Sequence, residues 1–194
     1  MFDETQNKII QAAMTLLMER GYSATTTKDI AARAGVNECT IFRKFKGKKE
    51  IILSAMELPQ WNPKLSETDF HYCGNLEDDL IFFAEKYMEK VTPKMVKVSM
   101  GLRTPELYGD TADGILKIPQ VFLKVLTGYF KEMGSKGKLG LGDPKGLAMQ
   151  FLCLNFGFVF LKASFGDKLT PLSEEAYIRQ SVHTFLEGIA KESE

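Results

Sequence analysis

The chain has 194 residues, of which 25 are acidic and 25 basic, so its formal net charge at pH 7 is zero. A neutral chain is not typical of a non-specific or architectural DNA-binding protein, which carries a large excess of Lys and Arg. The N-terminus has no secretory signal, the longest nearly apolar run (residues 151–161) is too short to cross a bilayer, and three scattered cysteines predict neither a disulfide framework nor a metal pair. These features predict a cytoplasmic globular protein.

The N-terminal region predicts three helices in succession. The first spans Thr5–Arg20, where apolar residues recur at helical spacing. The second spans Lys28–Ala34, with Thr27 as its N-cap because the threonine hydroxyl can accept from an unpaired amide of the first turn. Gly35 follows, where a left-handed turn residue ends the helix most easily. Asn37 is the predicted N-cap of a third helix.

The third helix places Ile41 and Phe45 on its inner face at i, i+4 spacing and polar residues on its outer face. Residues 25–50 carry seven cations and three anions, whereas the rest of the chain has an excess of acidic residues. A lysine-rich run alone would fit an ordinary solvated surface equally well. Two helices joined by a glycine turn, with cations at the far end, are typical of a helix-turn-helix, whose second helix enters the DNA major groove.

These N-terminal residues resemble the DNA-binding domain of TetR-family transcriptional regulators. The resemblance rests on the following elements: Arg20-Gly21-Tyr22, Thr26-Thr27, Ile30-Ala31, Ala34-Gly35-Val36, Thr40-Ile41-Phe42, Phe45 and Lys48. Phe42 departs from the family's usual tyrosine, and Cys39 and Gly47 also depart from its pattern. The resemblance implies an all-α fold, with a three-helix DNA-binding domain at residues 1–47 and a helical effector-binding and dimerisation domain at residues 48–194.

The remainder of the chain has helical patterns throughout. A fourth helix is predicted from Lys48 to just before Pro59, and Pro59–Asn75 is the longest irregular stretch. Further helices are predicted at residues 76–91, 93–102, about 113–133, 144–165 and 173–190, with a glycine-rich loop at residues 134–142.

Roles in DNA contact follow from side-chain chemistry. Arg43 and Thr40 are predicted to contact bases, since a guanidinium can bridge guanine O6 and N7. Glu38 could accept from a cytosine amino group, or it could favour the helix dipole as a first-turn anion. Phe42 is expected to pack against a sugar or a thymine methyl, and phosphate contacts are assigned to Thr27, Lys46 and Lys48. The predicted DNA-contacting residues are Thr27, Lys28, Glu38, Thr40, Phe42, Arg43, Lys44, Lys46 and Lys48.

The last two helices predict an interface between two copies of the chain. The helix at residues 144–165 is apolar around its whole circumference, which is typical of a helix that is buried on every side. A two-fold dimer would read two inverted half-sites of a palindromic operator. The alternative is that both helices fill the core of one chain. The predicted dimerisation residues are Phe151, Phe158, Leu161, Phe165, Ile178, Val182, Phe185 and Ile189.

The family resemblance also implies an effector cavity in the second domain. Aromatic and methionine side chains suit a bulky apolar ligand, although each of them could equally be plain core. The predicted effector contacts are Phe82, Phe83, Tyr87, Met95, Met100, Tyr108, Phe122 and Phe156.

An enzyme is the competing class. The two histidines have no triad or metal-ligand pattern around them, the loop at residues 134–142 does not follow the P-loop order, and no nucleophile elbow occurs. We therefore predict no catalytic residues, no metal and no cofactor. The expected protein is a homodimeric regulator, a repressor by default, that is released from its operator by a small apolar effector.

Overall fold

A computed structural model describes residues 2–140 and 142–189. Within these residues the chain is helical and has no strand, which confirms the all-α prediction. The helices are α1 Glu4–Arg20, α2 Thr27–Ala34, α3 Glu38–Lys44, α4 Lys48–Ala55, α5 Leu76–Lys90, α6 Pro93–Gly101, α7 Pro105–Ser135, α8 Pro144–Phe165 and α9 Glu174–Ile189, with short 3-10 turns at Glu67–Asp69 and Gly166–Lys168.

Side-chain caps begin the first two helices. Asp3 accepts from the Gln6 amide at 2.8 Å, and the Gln6 side chain accepts from the Asp3 amide at 3.0 Å, which is a capping box. The N-cap of α2 is Thr26, whose hydroxyl accepts from the Asp29 amide at 3.1 Å. The prediction of Thr27 was therefore wrong by one residue. Thr26 has the extended backbone of a cap, whereas the helix already begins at Thr27.

The turn between α2 and α3 has the predicted form. Gly35 adopts φ 67° and ψ 36°, the left-handed conformation that favours glycine. Asn37 caps α3, because its side-chain oxygen accepts from the Cys39 amide at 3.0 Å. Both predictions are confirmed.

The helix bounds agree closely with the sequence patterns except at α4, which ends at Ala55 and so three residues before the predicted end, and at α7. That helix begins at Pro105, eight residues before the predicted start, and contains Pro119 in its interior. Gly109, Gly114 and Pro119 weaken the helical pattern in the sequence, but proline at the first helical position is favourable because its missing N–H would be unpaired there anyway. The predicted end of the last helix at Ala190, and Leu141 in the predicted loop, lie outside the described residues.

Packing divides the chain into two compact units. The first comprises the residues up to 63 together with 94–115, and the second comprises 64–93 together with the residues from 116 onward. This division differs from the predicted boundary after residue 47. Ile51, Ile52 and Ala55 of α4 are fully buried in the same core as the helix-turn-helix residues, and that core also contains Val98 and Leu107.

The second unit has an aromatic core. The rings of Tyr87 and Phe122 lie 4.5 Å apart, those of Phe83 and Tyr129 lie 5.0 Å apart, and Phe151 is also fully buried. Edge-on and offset ring pairs of this kind contribute beyond their buried area. Within this unit α5 packs against α8 and α9.

Candidate nucleic-acid interface and effector region

The packing of α2 against α3 determines which side of α3 faces solvent. Ile30 and Ile41 are fully buried and Ala31 nearly so, which places the small alanine between the two helices. The opposite side of α3 is open, with Arg43 exposed and Phe42 57% exposed. This is the outer surface that the sequence predicted for DNA contact.

Ion pairs occupy many of the cations of this unit. Lys44 pairs with Asp3, and Arg33 makes two bonds to Glu19 at 2.9 and 3.1 Å. The Arg33 guanidinium holds the pKa of the Glu19 carboxyl below its ordinary value. Between residues 25 and 50, three further cations are exposed and have no ion-pair partner among the described residues: Lys28, Arg43 and Lys46. These three are free to meet an external anion.

Lys48 was predicted to contact phosphate, but its ammonium group is already engaged. The Nζ donates to the Tyr22 carbonyl at 2.7 Å and lies 3.9 Å from the centre of the Tyr22 ring. Burial lowers the pKa of Lys48, although the charge of Glu106 opposes this shift. In this conformation Lys48 braces the start of α4 against Tyr22, so a phosphate contact would require its side chain to move.

Two other predicted DNA contacts bond to each other. The Thr27 hydroxyl donates to the Glu38 carboxylate at 2.6 Å, and both side chains are half-buried. This bond joins the first turn of α2 to the first turn of α3 and fixes the angle between them. Thr40 is half-buried on the same short helix. Sequence reasoning treated Thr27 and Glu38 as separate contacts because nothing in their spacing of eleven residues indicates the bond.

The residues predicted for dimerisation fall into two groups. Phe151, Phe158, Ile178, Val182 and Phe185 are buried within the chain itself. We therefore correct their assignment, because the apolar stripe of α9 faces α5 and α8 rather than solvent. Leu161 and Phe165 are 42% and 55% exposed, and Ile189 is half-buried.

The exposed side of α8 is nevertheless strongly apolar. We call the part of it that carries Leu154, Leu161 and Phe165 the outer face of α8, because these residues lie along one side of the helix. Met149 and Phe156 are also exposed but lie about 140° away around the helix. A row of exposed apolar side chains such as the outer face of α8 is typical of an interaction surface.

The residues predicted for effector contact do not form one group. Phe83, Tyr87 and Phe122 pack together in the aromatic core of the second unit, with Phe82 half-buried beside Phe83. Met95, Met100 and Tyr108 belong instead to the first unit. Phe156, also predicted as an effector contact, is 41% exposed on α8 and is not part of the aromatic core.

A buried carboxylate that sequence reasoning missed organises the second unit. Asp79 is 3% exposed and accepts from the amides of Cys73 and Gly74, each at 2.8 Å, and from the Tyr129 hydroxyl at 3.0 Å. Burial and the neighbouring Asp79 charge both raise the pKa of Tyr129. These bonds fix the segment before α5 against α7. In sequence, Asp79 looks like one more anion in the acidic first turns of α5.

Two further features bear on the competing classes. The segment Pro144–Lys168 is long and apolar enough to span a membrane by length and composition. That is weak support for a span, because core helices pass the same test and seven residues of α8 are buried inside the chain. Among the described residues, no group of three His, Cys, Asp or Glu side chains could hold a metal ion.

Comparison with known families matches both parts of the chain. The family model of bacterial regulatory proteins of the tetR family matches residues 9–55. The model of the C-terminal domain of AefR-like transcriptional repressors matches residues 83–188.

Individual relatives are similar over nearly the full length. The HTH-type transcriptional regulator YvkB of Bacillus subtilis is 31% identical, over 96% of this chain and 97% of its own. IcaR of Staphylococcus aureus, a negative transcriptional regulator of the biofilm operon icaADBC, is 25% identical, over 93% of this chain and 96% of its own. Among solved structures, the flavonoid-responsive regulator FrrA superposes with a TM-score of 0.58 and 25% identity, over 97% of this chain and 98% of its own.

Proposed function

This chain belongs to the TetR family of bacterial transcriptional regulators, which are not enzymes. We propose that it is a cytoplasmic repressor that acts as follows. It binds as a homodimer to an operator of two inverted half-sites. A small apolar effector binds the second unit and releases the protein from DNA. Repression is the form of control favoured by the similarity to IcaR, a negative regulator.

The observation that carries this proposal is the exposed side of α3 with Arg43, together with two unpaired lysines nearby in the chain, Lys28 on α2 and Lys46 after α3. Because all three side chains are exposed, Arg43 is proposed to bond guanine, while Lys28 and Lys46 neutralise phosphates. The Thr27–Glu38 bond acts as a positioning contact, because it holds α3 at a fixed angle to α2. Lys44 and Lys48 contribute to DNA contact only if they leave Asp3 and Tyr22.

Dimerisation is proposed to use the outer face of α8. Leu161 and Phe165 provide the exposed apolar area, and a second copy related by a two-fold axis would cover it with the same residues. One α3 reads only a few base pairs, so two copies about 34–36 Å apart would be needed for specific affinity.

Effector control is proposed to reach α3 through the first unit. The start of α7 is tied to α4 by the ion pair between Lys49 and Asp110 at 2.7 Å. At the end of α6, Gly101 lies so close to Leu17 of α1 that a Cβ at residue 101 would stand 2.8 Å from the Leu17 Cγ. A shift of α6 or α7 would therefore move α1 and α4. Couplings of this kind usually amount to about 1–3 kcal/mol, or roughly 5- to 150-fold in affinity.

The DNA-binding part of the proposal is tested by comparing one free and one paired cation. Fluorescence anisotropy with DNA from the protein's own promoter region, and with random DNA, gives affinity as a function of salt. Lys46→Ala is expected to weaken binding to both DNAs and to reduce the salt slope by about one. Lys49→Ala, which removes a lysine paired with Asp110, is the control and should change the slope less. Equal wild-type affinity for both DNAs would instead support a non-specific DNA-binding protein.

The dimer is tested with Leu161→Glu, which places a charge on the outer face of α8. Light scattering after size-exclusion chromatography should show a dimer for the wild type and a monomer for this variant. Leu116→Glu is the matched control, because Leu116 is also half exposed but lies on α7. A wild-type monomer, or a dimer that survives Leu161→Glu, would contradict the assigned surface.

A further inference from the structure

The second unit holds a buried amide whose oxygen has no partner. Asn155 lies in the middle of α8 and is 1% exposed. Its Nδ2 donates to the Phe151 carbonyl at 2.7 Å, whereas no group among the described residues donates to its Oδ1. Because the Phe151 carbonyl can only accept a hydrogen bond, the atom of the Asn155 amide that contacts it must be the nitrogen. The unpaired atom is therefore a hydrogen-bond acceptor.

Stability alone does not explain an asparagine at position 155, because an apolar residue there would be more stable. Every other buried residue of α8 is apolar: Ala148, Phe151, Leu152, Phe158, Val159 and Ala163. An amide oxygen buried without a donor costs about 1–3 kcal/mol, and a leucine of similar volume would avoid that cost. A buried water would need two to four polar partners, and the neighbouring side chains on this face of α8 supply none beyond Asn155 itself.

Asn155 is linked to the aromatic core through Phe151. Phe151, one helical turn before Asn155, has its ring centre 6.5 Å from that of Phe122. Phe122 in turn packs on Tyr87, with ring centres 4.5 Å apart. These neighbours are aromatic, and Asn155 adds an unpaired carbonyl acceptor to the polar hydroxyl of Tyr87.

We propose that Asn155 Oδ1 accepts a hydrogen bond from the effector, which is an aromatic molecule carrying a hydroxyl donor, as a phenol does. This inference rests on the proposed effector-responsive function and adds the chemical class of the ligand. The aromatic side chains bind the rings, and Asn155 distinguishes molecules that carry the donor from those that lack it. A site that holds an otherwise unpaired buried acceptor penalises a ligand without the donor.

The test uses matched probe pairs that differ only in the donor. The pairs are 4-phenylphenol with 4-methoxybiphenyl, and 2-naphthol with 2-methoxynaphthalene, titrated calorimetrically into the full-length protein without DNA. The wild type is expected to bind each phenol about tenfold more tightly than its methyl ether. In Asn155→Leu the preference should fall below about twofold, while the melting temperature is unchanged or higher.

Phe151→Leu is the control, because it alters an adjacent aromatic contact without changing a polar group. It should weaken both members of a pair equally. If Asn155→Leu does not fold, Asn155→Ala serves in the same comparison.

Three outcomes would overturn the proposal: no binding of either phenol to the wild type, equal binding of a phenol and its ether, or a phenol preference that persists without Asn155. Promoter-DNA affinity of the wild type is measured in parallel without probe. A wild type that fails to bind DNA would instead refute the proposed regulator function, so the two failures are distinguishable.

Discussion

The two compact units are held together by different kinds of interaction. In the first unit, short helices are held by caps, ion pairs and side-chain bonds such as Thr27 to Glu38, and α3 has a fixed outer surface. In the second unit, long helices pack aromatic rings together and leave the oxygen of Asn155 unpaired. Buried polar atoms without a hydrogen-bond partner occur in both units, because Trp61 Nε1 and Thr104 Oγ1 of the first unit also have none among the described residues. The two units therefore differ in the interactions that hold their helices together.

The largest expected effect tests whether the aromatic core carries the stability of the second unit. Phe122→Ala removes a fully buried ring that touches Tyr87 and Phe70, and it should lower the free energy of unfolding by about 3–5 kcal/mol. Urea unfolding measures this change. Phe156→Ala removes a ring of the same size that is 41% exposed and should cost clearly less. Similar losses for both variants would contradict the division of rings between core and surface.

The next effect concerns the free cations of the first unit. Arg43→Ala should reduce affinity for operator DNA by about 1–3 kcal/mol, or roughly 5- to 150-fold, and should relax base preference at one position of each half-site. Binding to a panel of single-base operator variants checks both expectations. Because Arg43 is exposed and unpaired, the melting temperature should hardly change. An Arg43→Ala protein with unaltered base preference would show that Arg43 does not read a base.

A pair of glycines tests how tightly the first unit is packed. Gly101→Ala would place a Cβ 2.8 Å from the Leu17 Cγ, and such overpacking costs about 1–3 kcal/mol. Gly109→Ala meets nothing within 4 Å and should gain about 0.5–1 kcal/mol from higher helix propensity. Thermal unfolding should therefore shift in opposite directions. If both variants are stabilised, α6 does not press on α1 as closely as described.

The next expected effect is a loss of stability of the second unit at alkaline pH. Burial raises the pKa of Tyr87 above the ordinary tyrosine value of 10.0. A raised folded-state pKa gives stability that is complete below pH 10 and is lost as the pH rises further, by about 1.4 kcal/mol per pH unit for one such tyrosine. Tyr87→Phe should reduce this alkaline loss and leave stability at pH 7 nearly unchanged. Urea midpoints between pH 9 and 11 measure the slope, and an unaltered slope would refute the assignment.

The first unit is also sensitive to acid, with the opposite sign. Hydrogen bonds from Lys44 and Arg33 lower the pKa of Asp3 and of Glu19 respectively. Their contribution is present above the ordinary carboxyl range and is lost as the pH falls through the lowered values. These carboxylates are exposed, so solvent screens the effect and it should be small.

Sequence alone predicted the first unit in most of its detail. The glycine after α2, the asparagine cap of α3 and the inward Ile41 are local signals, because each depends on one or two turns of helix. The outward direction of Arg43 follows from the same periodicity. The sequence did not reveal the intramolecular partners of Thr27 and Lys48, since Glu38 and Tyr22 are eleven and 26 residues away in the chain.

For the second unit, the sequence determined which segments are helical and which residues are apolar, because both depend on periodicity along the chain. It did not determine which apolar residues face the core. The stripe on α9 was predicted to meet a second copy but packs inside the chain, while Leu161 and Phe165 remain on the surface. Only the tertiary structure decided this, because α8 is apolar on every side and its pattern cannot distinguish the face that meets α5 and α9 from the face left open. The same holds for Asn155, whose unpaired oxygen is a property of what surrounds it in space.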